Sequence, residues 1–264
     1  MVSDTVLAQH RWLQVGAAEK ARSVMELAHD LPHDTILEIG SGSGAVLESL
    51  AASQFGSSYF AVEPSQPLFD YMVSDAGIPG LVAENRLFDE SSFVDRRFDV
   101  VILSHVVEHL IAPADLILQA SRVSNAVIIE VPLEGSLVGN LRAAIRRSVT
   151  RRERERNRAG HINFFSRQDL DKLVSWCGLE VRARRIYHPS AQLRFQLAGG
   201  GTLTRATSRL SLAAAGIIGD ENWARAYYGH YAVLAVPRKL PSIDRDDTSS
   251  SQSLYFPPST VRED

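Results

Sequence analysis

Ile36-Leu37-Glu38-Ile39-Gly40-Ser41-Gly42-Ser43-Gly44-Ala45 runs from an apolar strand through a glycine-rich turn into a helix. Glycine has no Cβ, so such a turn lets backbone approach a ligand closely. The helix N-terminus behind it offers N–H groups that lack intrahelical partners. A turn of this kind at the end of a buried strand is where an open α/β sheet binds a nucleotide.

Working outward, the pattern of strand and helix repeats. Residues 1–33 read as helical, with Ala21, Val24, Met25 and Ala28 as the apolar set and Pro32 as the stop. This helix either packs on the sheet or lies over the substrate side. Strand one is Thr35–Ile39, and Ala45–Ser53 is the helix after it. Strand two, Tyr59–Val62, ends at Glu63-Pro64, and a helix follows over Ser65–Asp75. Leu81–Asp89 holds a weaker third strand. Phe98–Leu103 is a continuous apolar run, as expected of a strand covered on both faces. A helix from Pro113 to Val123 leads to strand five, Ala126–Val131, with Pro132 as its stop. Alternating strands and helices joined by short loops give a doubly wound parallel sheet.

The pattern then changes. Residues 132–160 form a basic insertion in which Leu137, Leu141, Ile145 and Val149 make one apolar stripe on an arginine-dense helix. Ser166-Arg167-Gln168-Asp169 resembles an N-cap followed by an acidic third residue, and that helix ends at Gly178. Leu179–Tyr187 and Tyr231–Val236 read as strands. Residues 188–228 are a variable insertion in which Gly199–Gly201 is a loop and Leu210–Ile218 a helix. Residues 240–264 read as a disordered tail.

With 264 residues and 45% apolar content, the chain can bury the core of one sizeable domain, taken as residues 34–239. A formal net charge of −3 argues against a general nucleic-acid binder. The single cysteine, Cys177, excludes an internal disulfide. With no signal-peptide pattern, the cytosol is the expected compartment. No apolar run approaches the roughly 20 residues of a membrane span.

The glycine pattern alone allows either a dinucleotide or another nucleoside ligand. Glu38-x-Gly40-x-Gly42-x-Gly44, an acid closing strand two at Glu63, and Phe98-Asp99-Val100-Val101 leading into Ser104-His105-Val106-Val107-Glu108-His109-Leu110 together resemble the class I S-adenosylmethionine-dependent methyltransferases. Gly160-His161-Ile162-Asn163-Phe164-Phe165 extends the resemblance to bacterial members. The resemblance implies a Rossmann-like α/β fold: a seven-stranded, mostly parallel sheet with helices on both faces and an antiparallel last strand. It also implies that Gly40, Ser41, Gly42 and Gly44 line the methionine part of S-adenosylmethionine, with Glu38 near its amino group. Glu63 would take both ribose hydroxyls, two acceptor oxygens against two donors. Asp89 is the candidate for the adenine amine, with Glu84 and Asn85 as alternatives, and Ser104 would face the cofactor.

His105, Glu108 and His109 sit at i, i+3 and i+4, and would share one face if the segment is helical. Ubiquinone-pathway O-methyltransferases and small-RNA 2′-O-methyltransferases carry Glu-x-x-Glu-His at a similar place and hold a divalent ion there. The RNA enzymes add a later histidine. Here Glu108 and His109 match, His105 replaces the first glutamate, and His161 is the candidate for the later histidine. An imidazole in place of a carboxylate shifts preference from magnesium toward zinc, manganese or iron. The other readings of these residues are lining of the acceptor pocket and structural capping. His161 and His109 are the candidate catalytic residues, since an imidazole with its ordinary pKa of about 6.5 can take a hydroxyl proton at neutral pH.

The basic segment at 137–158 suits a solvated helix, a contact with an anionic membrane, or binding of an acidic group. The resemblance of Gly160-His161-Ile162-Asn163-Phe164-Phe165 to members of sugar and glycan pathways implies methylation of an oxygen on a sugar, glycan or glycolipid. A quinone-like phenol or another small metabolite is the second enzymatic reading, and a non-catalytic cofactor-binding partner is the third.

Overall fold

Successive residues of a strand point to opposite faces of its sheet. A run such as Val100-Val101-Ile102-Leu103 is therefore buried throughout only where both faces are covered. Val100 and Ile102 pack with Ala21, Val24, Leu47 and Leu50 on one side. Val101 and Leu103 pack with Ile117, Leu170 and Val174 on the other.

The computed structural model describes residues 4–89, 91–133, 160–226 and 229–238. In chain order they form α1 (Asp4–Ala28), β1 (Thr35–Ile39), α2 (Ala45–Ala52), β2 (Ser58–Val62), α3 (Gln66–Asp75), β3 (Val82–Glu84) and β4 (Phe98–Ser104). A single 3-10 turn (Val107–His109) precedes α4 (Pro113–Arg122) and β5 (Ser124–Leu133). Then come α5 (Arg167–Trp176), β6 (Leu179–Tyr187), α6 (Ser190–Gly199), α7 (Thr202–Ile218), α8 (Asp220–Ala226) and β7 (Gly229–Pro237). The arginine-dense segment 137–158, its expected membrane contact, and the tail 240–264 lie outside the described residues.

The seven strands order as β3-β2-β1-β4-β5-β7-β6. The first five are parallel, and β7 is antiparallel to both β5 and β6. This is the Rossmann-like sheet that the resemblance implies, with the 231–236 strand reversed as expected. The glycine turn follows β1, the central strand at which the order reverses.

Four local expectations need correction. The third strand spans only Val82–Glu84, because its one partner β2 ends at Val62, opposite Glu84. Strand five does not stop at Pro132. Glu130 C=O accepts from His105 N–H on the β4 side, so residue 132, two further on, also turns its nitrogen to that side. There β4 has already ended opposite Glu130, and the missing donor of Pro132 breaks no ladder bond. The segment after β4 is not an extended helix: His105 has φ 57°, and only Val107–His109 makes a turn. The left-handed backbone of His105 stops a right-handed helix from continuing out of the strand, and the first turn bond is His109 N–H to Val106 O. Finally, α7 begins at Thr202, well before Leu210. The capping box at Ser166 and Asp169 is present, with each side chain accepting from the other's backbone N–H.

Candidate functional site

The turn from β1 to α2 is built from left-handed backbone. Gly40, Gly42 and Gly44 have φ of 71°, 58° and 77°. A Cβ on Gly40 would stand 2.8 Å from Val106 Cγ2, and one on Gly44 would stand 2.7 Å from Met72 Cγ. Both conformation and space therefore require glycine at these two positions. From above, α1 closes over the turn: His10 Nδ1 is 2.8 Å from Ser43 Oγ, and Leu13 faces Gly42. The Ser41 hydroxyl donates to Met72 Sδ.

Two carboxylates bracket the turn. Glu63 is buried at the end of β2, where its Oε2 accepts from Gly42 N–H at 2.7 Å and its Oε1 from Ser65 N–H at 2.8 Å. A carboxylate has about four acceptor sites, so roughly two remain for a diol. The strap from Glu63 to Gly42 is a role the sequence did not reveal. Glu38 is buried at the end of β1. Its Oε2 has no hydrogen-bond partner. Burial, less the pull of Lys20 and with the push of Glu63 and Glu130, raises its carboxyl to about 8. An orphaned buried carboxylate beside a cradle of bare backbone fits a ligand that brings a cation, such as an α-ammonium group.

A cavity of about 460 Å³ opens at the C-terminal edge of the sheet, a size suited to a small-molecule ligand. Its lining includes Ile39, Gly40, Val62 and Glu63 at the ends of β1 and β2, Leu87 and Phe88 after β3, and His105, His109, Asp115 and Gln119 between β4 and the end of α4. Asp89 is not among its lining residues. The Asp89 carboxylate accepts from Ser91 N–H and pairs with Arg86 on the surface, and these Ser91 and Arg86 bonds hold it below the usual range. Glu84 and Asn85 do not line the cavity either: Glu84 Oε1 accepts from Phe93 N–H while its Oε2 is buried without a partner, and Asn85 Nδ2 donates to Glu63 O. Gln119 Oε1, buried and without a partner, is an acceptor that the sequence did not single out. Asp115 and Gln119 lie four apart on α4, and that spacing was the available signal.

The Gly160–Phe165 segment is bonded to the turn that follows β4. Ile162 N–H and Asn163 N–H donate to Glu108 O at 2.8 and 2.9 Å. Asn163 Nδ2 donates to Leu110 O at 2.6 Å. His109 Nδ1 lies 3.2 Å from Gly160 O. A carbonyl only accepts, so this bond puts the proton on Nδ1 and leaves Nε2 as an acceptor in the neutral ring. The His109 and His161 rings meet edge to face, with centroids 4.9 Å apart. Donor atoms of Glu108, His109 and His161 come within 4.8 Å of one another, a possible metal set.

His105 does not join that set. It turns to Glu130 on β5 and His230 on β7, and these three form a second group of converging donors. Tyr187 on β6 donates to Glu130 Oε1 at 3.0 Å, and Ser104 Oγ reaches the same oxygen at 3.4 Å. Burial would raise the Glu130 carboxyl, but the His105 hydrogen bond and the nearby His230 and Lys20 charges outweigh it and hold it down to about 2. Burial, reinforced by His105, pushes His230 well below its ordinary value. Glu130, Tyr187 and His230 were not anticipated. The one sequence signal was a charge inside an apolar strand, Ile129-Glu130-Val131.

No helix among the described residues is long and apolar enough to cross a membrane.

A protein-family profile described as a methyltransferase domain matches residues 10–184. No curated protein sequence matches the chain. Among solved structures, magnesium protoporphyrin IX methyltransferase from Synechocystis PCC 6803 is 15% identical with a TM-score of 0.52, over 85% of this chain and 84% of that one. A putative methyltransferase from Bacillus halodurans C-125 is 16% identical with a TM-score of 0.52, over 84% and 99%. A mycolic acid cyclopropane synthase is 12% identical with a TM-score of 0.52, over 81% and 83%. At such identities these likenesses establish the shared fold.

Proposed function

The chain belongs to the methyltransferase-domain family of class I, S-adenosylmethionine-dependent enzymes, and on that premise we propose that it methylates a hydroxyl oxygen of a sugar, glycan or glycolipid. The observation that carries an oxygen acceptor is His109. Its ring lines the cavity, and the Gly160 carbonyl sets the tautomer in which Nε2 can accept a proton.

The residues fit the cofactor. Glu38 would take the ammonium group, the backbone of Gly40 to Gly44 would lie along the methionine part, and Glu63 would take the ribose diol. Gln119 Oε1 replaces Asp89 as the acceptor for the adenine amine. Bound there, S-adenosylmethionine supplies an electrophilic methyl group on a sulfonium. The chain's own part is to hold the acceptor in line and to receive its proton. An attacking hydroxyl becomes positive as it bonds to carbon, so a base at His109 Nε2 lowers the barrier. His161, edge to face with His109, sits where it can orient that ring or take the proton onward. Alignment of donor and acceptor supplies much of the remaining acceleration.

The Gly160–Phe165 segment supports a sugar acceptor by its likeness to sugar- and glycan-modifying members, and its bonds to Glu108 and Leu110 fasten it to the turn whose His109 and Leu110 line the cavity. A quinone-like phenol is the second reading, favoured by the exposed apolar side chains of Leu87 and Ile111 on the cavity lining. The test is transfer of labelled methyl to a panel of sugars, glycolipids and phenols, read by mass spectrometry. A methyl ether on a sugar hydroxyl is the expected product. Label found only on phenols or amines would replace the sugar reading.

A further inference from the structure

Four polar atoms, from β5, β6, β7 and the residue just after β4, converge at a point that the proposed methyl transfer does not use. His105 Nε2 and His230 Nδ1 are 3.4 Å apart. Glu130 Oε1 is 3.4 Å from the first and 3.8 Å from the second. Tyr187 Oη is 3.0 Å from both Glu130 Oε1 and His230 Nδ1. At 3.4 Å the contacts of His105 with Glu130 and His230 are long hydrogen bonds, and at 3.8 Å His230 Nδ1 and Glu130 Oε1 make none. The same spacing is that of donors around one ion. Bonds of about 2.0–2.1 Å at tetrahedral angles put neighbouring ligand atoms roughly 3.3 Å apart.

A second observation concerns the other side of His105. Its Nδ1 is 3.3 Å from Glu108 Oε1. Glu108 is fully buried, and neither carboxylate oxygen has a hydrogen bond of good geometry. A histidine that binds a metal through one nitrogen typically turns its other N–H to a carboxylate, which fixes the tautomer and the ring. Glu108 stands in that position.

We propose that His105 Nε2, Glu130 Oε1 and His230 Nδ1 form a binding site for a divalent ion of the zinc class, with the Tyr187 hydroxyl kept as a hydrogen-bond donor to Glu130 and water as the fourth ligand. Two imidazoles and one carboxylate select borderline ions over magnesium, which prefers oxygen donors and keeps its waters. Glu130 and Glu108 offset the charge of the ion, against the nearby charges of Lys20 and of Arg185 over the Tyr187 ring. Glu130 and His230 are almost wholly buried, while the His105 side chain is 21% exposed and lines the cavity. The ion would therefore stand behind the cavity wall, with His105 between it and the ligand space. This site is distinct from the group formed by Glu108, His109 and His161.

The test uses the full-length protein, stripped with chelator and titrated with Zn²⁺ against a chromogenic competitor, then with Co²⁺, whose visible absorption reports four-coordinate binding. One equivalent and a four-coordinate cobalt band are expected. His230→Gln and Glu130→Gln should weaken zinc binding by about a hundredfold or more, while His161→Gln leaves it unchanged. His105→Gln, at a partly exposed position, gives the same reading without burying an altered side chain, and circular dichroism checks that each variant is folded. A wild-type protein that takes up no stoichiometric zinc overturns the proposal. So does zinc binding that His161→Gln abolishes and folded His105→Gln or His230→Gln leaves intact. Methyl transfer is not part of the readout, so failure of the acceptor assignment leaves this result unaffected.

Discussion

Glu38 makes cofactor binding depend on pH. Burial raises its carboxyl to about 8 in the free protein, so at pH 7 only about a tenth of the molecules carry the charge. An α-ammonium group needs the ionised form. Binding at pH 7 should therefore release close to one proton. Affinity should rise about tenfold from pH 6 to 7 and about fivefold from pH 7 to 8, which at about 1.4 kcal/mol per tenfold is somewhat over 2 kcal/mol in all. Calorimetry with S-adenosylhomocysteine, which keeps the ammonium group, measures this directly. The observed heat at pH 7 should change with the ionisation enthalpy of the buffer. Glu38→Gln should flatten the pH dependence and weaken binding at pH 8. The same shift has an opposite effect on the free fold. A carboxyl whose folded pKa is raised contributes its stability below the unfolded value, about 4.5, and loses it as pH rises through about 8. The loss approaches about 5 kcal/mol at most, so Glu38→Gln should raise the melting temperature of the free protein at pH 8. Affinity that is flat from pH 6 to 8, with heats independent of buffer, would refute the reasoning.

Three further outcomes follow from the site. Glu63→Gln should weaken binding of the same ligand by about ten- to a hundredfold, since it loses charge-assisted bonds worth roughly 1.5–3 kcal/mol each; unchanged affinity by calorimetry would remove the ribose assignment. His109→Gln should lower turnover by about a hundredfold or more while sparing cofactor affinity, and His161→Gln should act in the same direction but less; equal turnover in all three proteins would make both histidines structural. Gly44→Ala meets Met72 at 2.7 Å in a left-handed conformation, and should lower stability by about 1–3 kcal/mol in denaturant titration.

The glycine turn and the two acids that bracket it were legible as one group because they are local. Glu38, Gly40, Gly42 and Gly44 are near neighbours in sequence, and Glu63 is placed by the next strand in register, Ile39 opposite Val62. Asp89 was misplaced for the same reason: beyond Glu84 no strand carries the chain, and position along the sequence stops predicting position in space. The Glu130, Tyr187 and His230 group was illegible because it depends on which strands become neighbours. Residues 130, 187 and 230 meet only because β7 enters between β5 and β6, and strand order leaves no periodic trace in the sequence. The segment at Gly160 lies between these cases. Its motif was readable, but the hydrogen bonds of Asn163 to Val107 O and Leu110 O, which fasten it to the post-β4 turn, were not.

The position of β7 sets an order of assembly. It is the last of the strands among the described residues, yet it lies inside the sheet, with β5 on one side and β6 on the other. During synthesis β6 is exposed for more than 40 residues of growth with no strand to pair with, and β5 presents one open edge. Unpaired edges of this kind invite pairing with other chains, and long-range strand closure is slow. Folding of the C-terminal half must wait for residues 229–237 to leave the ribosome. The same strand delivers His230, so the buried group around Glu130 closes in the final step. A nascent chain that stops short of β7 could form the glycine turn but not that group, and would leave one edge of β5 and both edges of β6 bare.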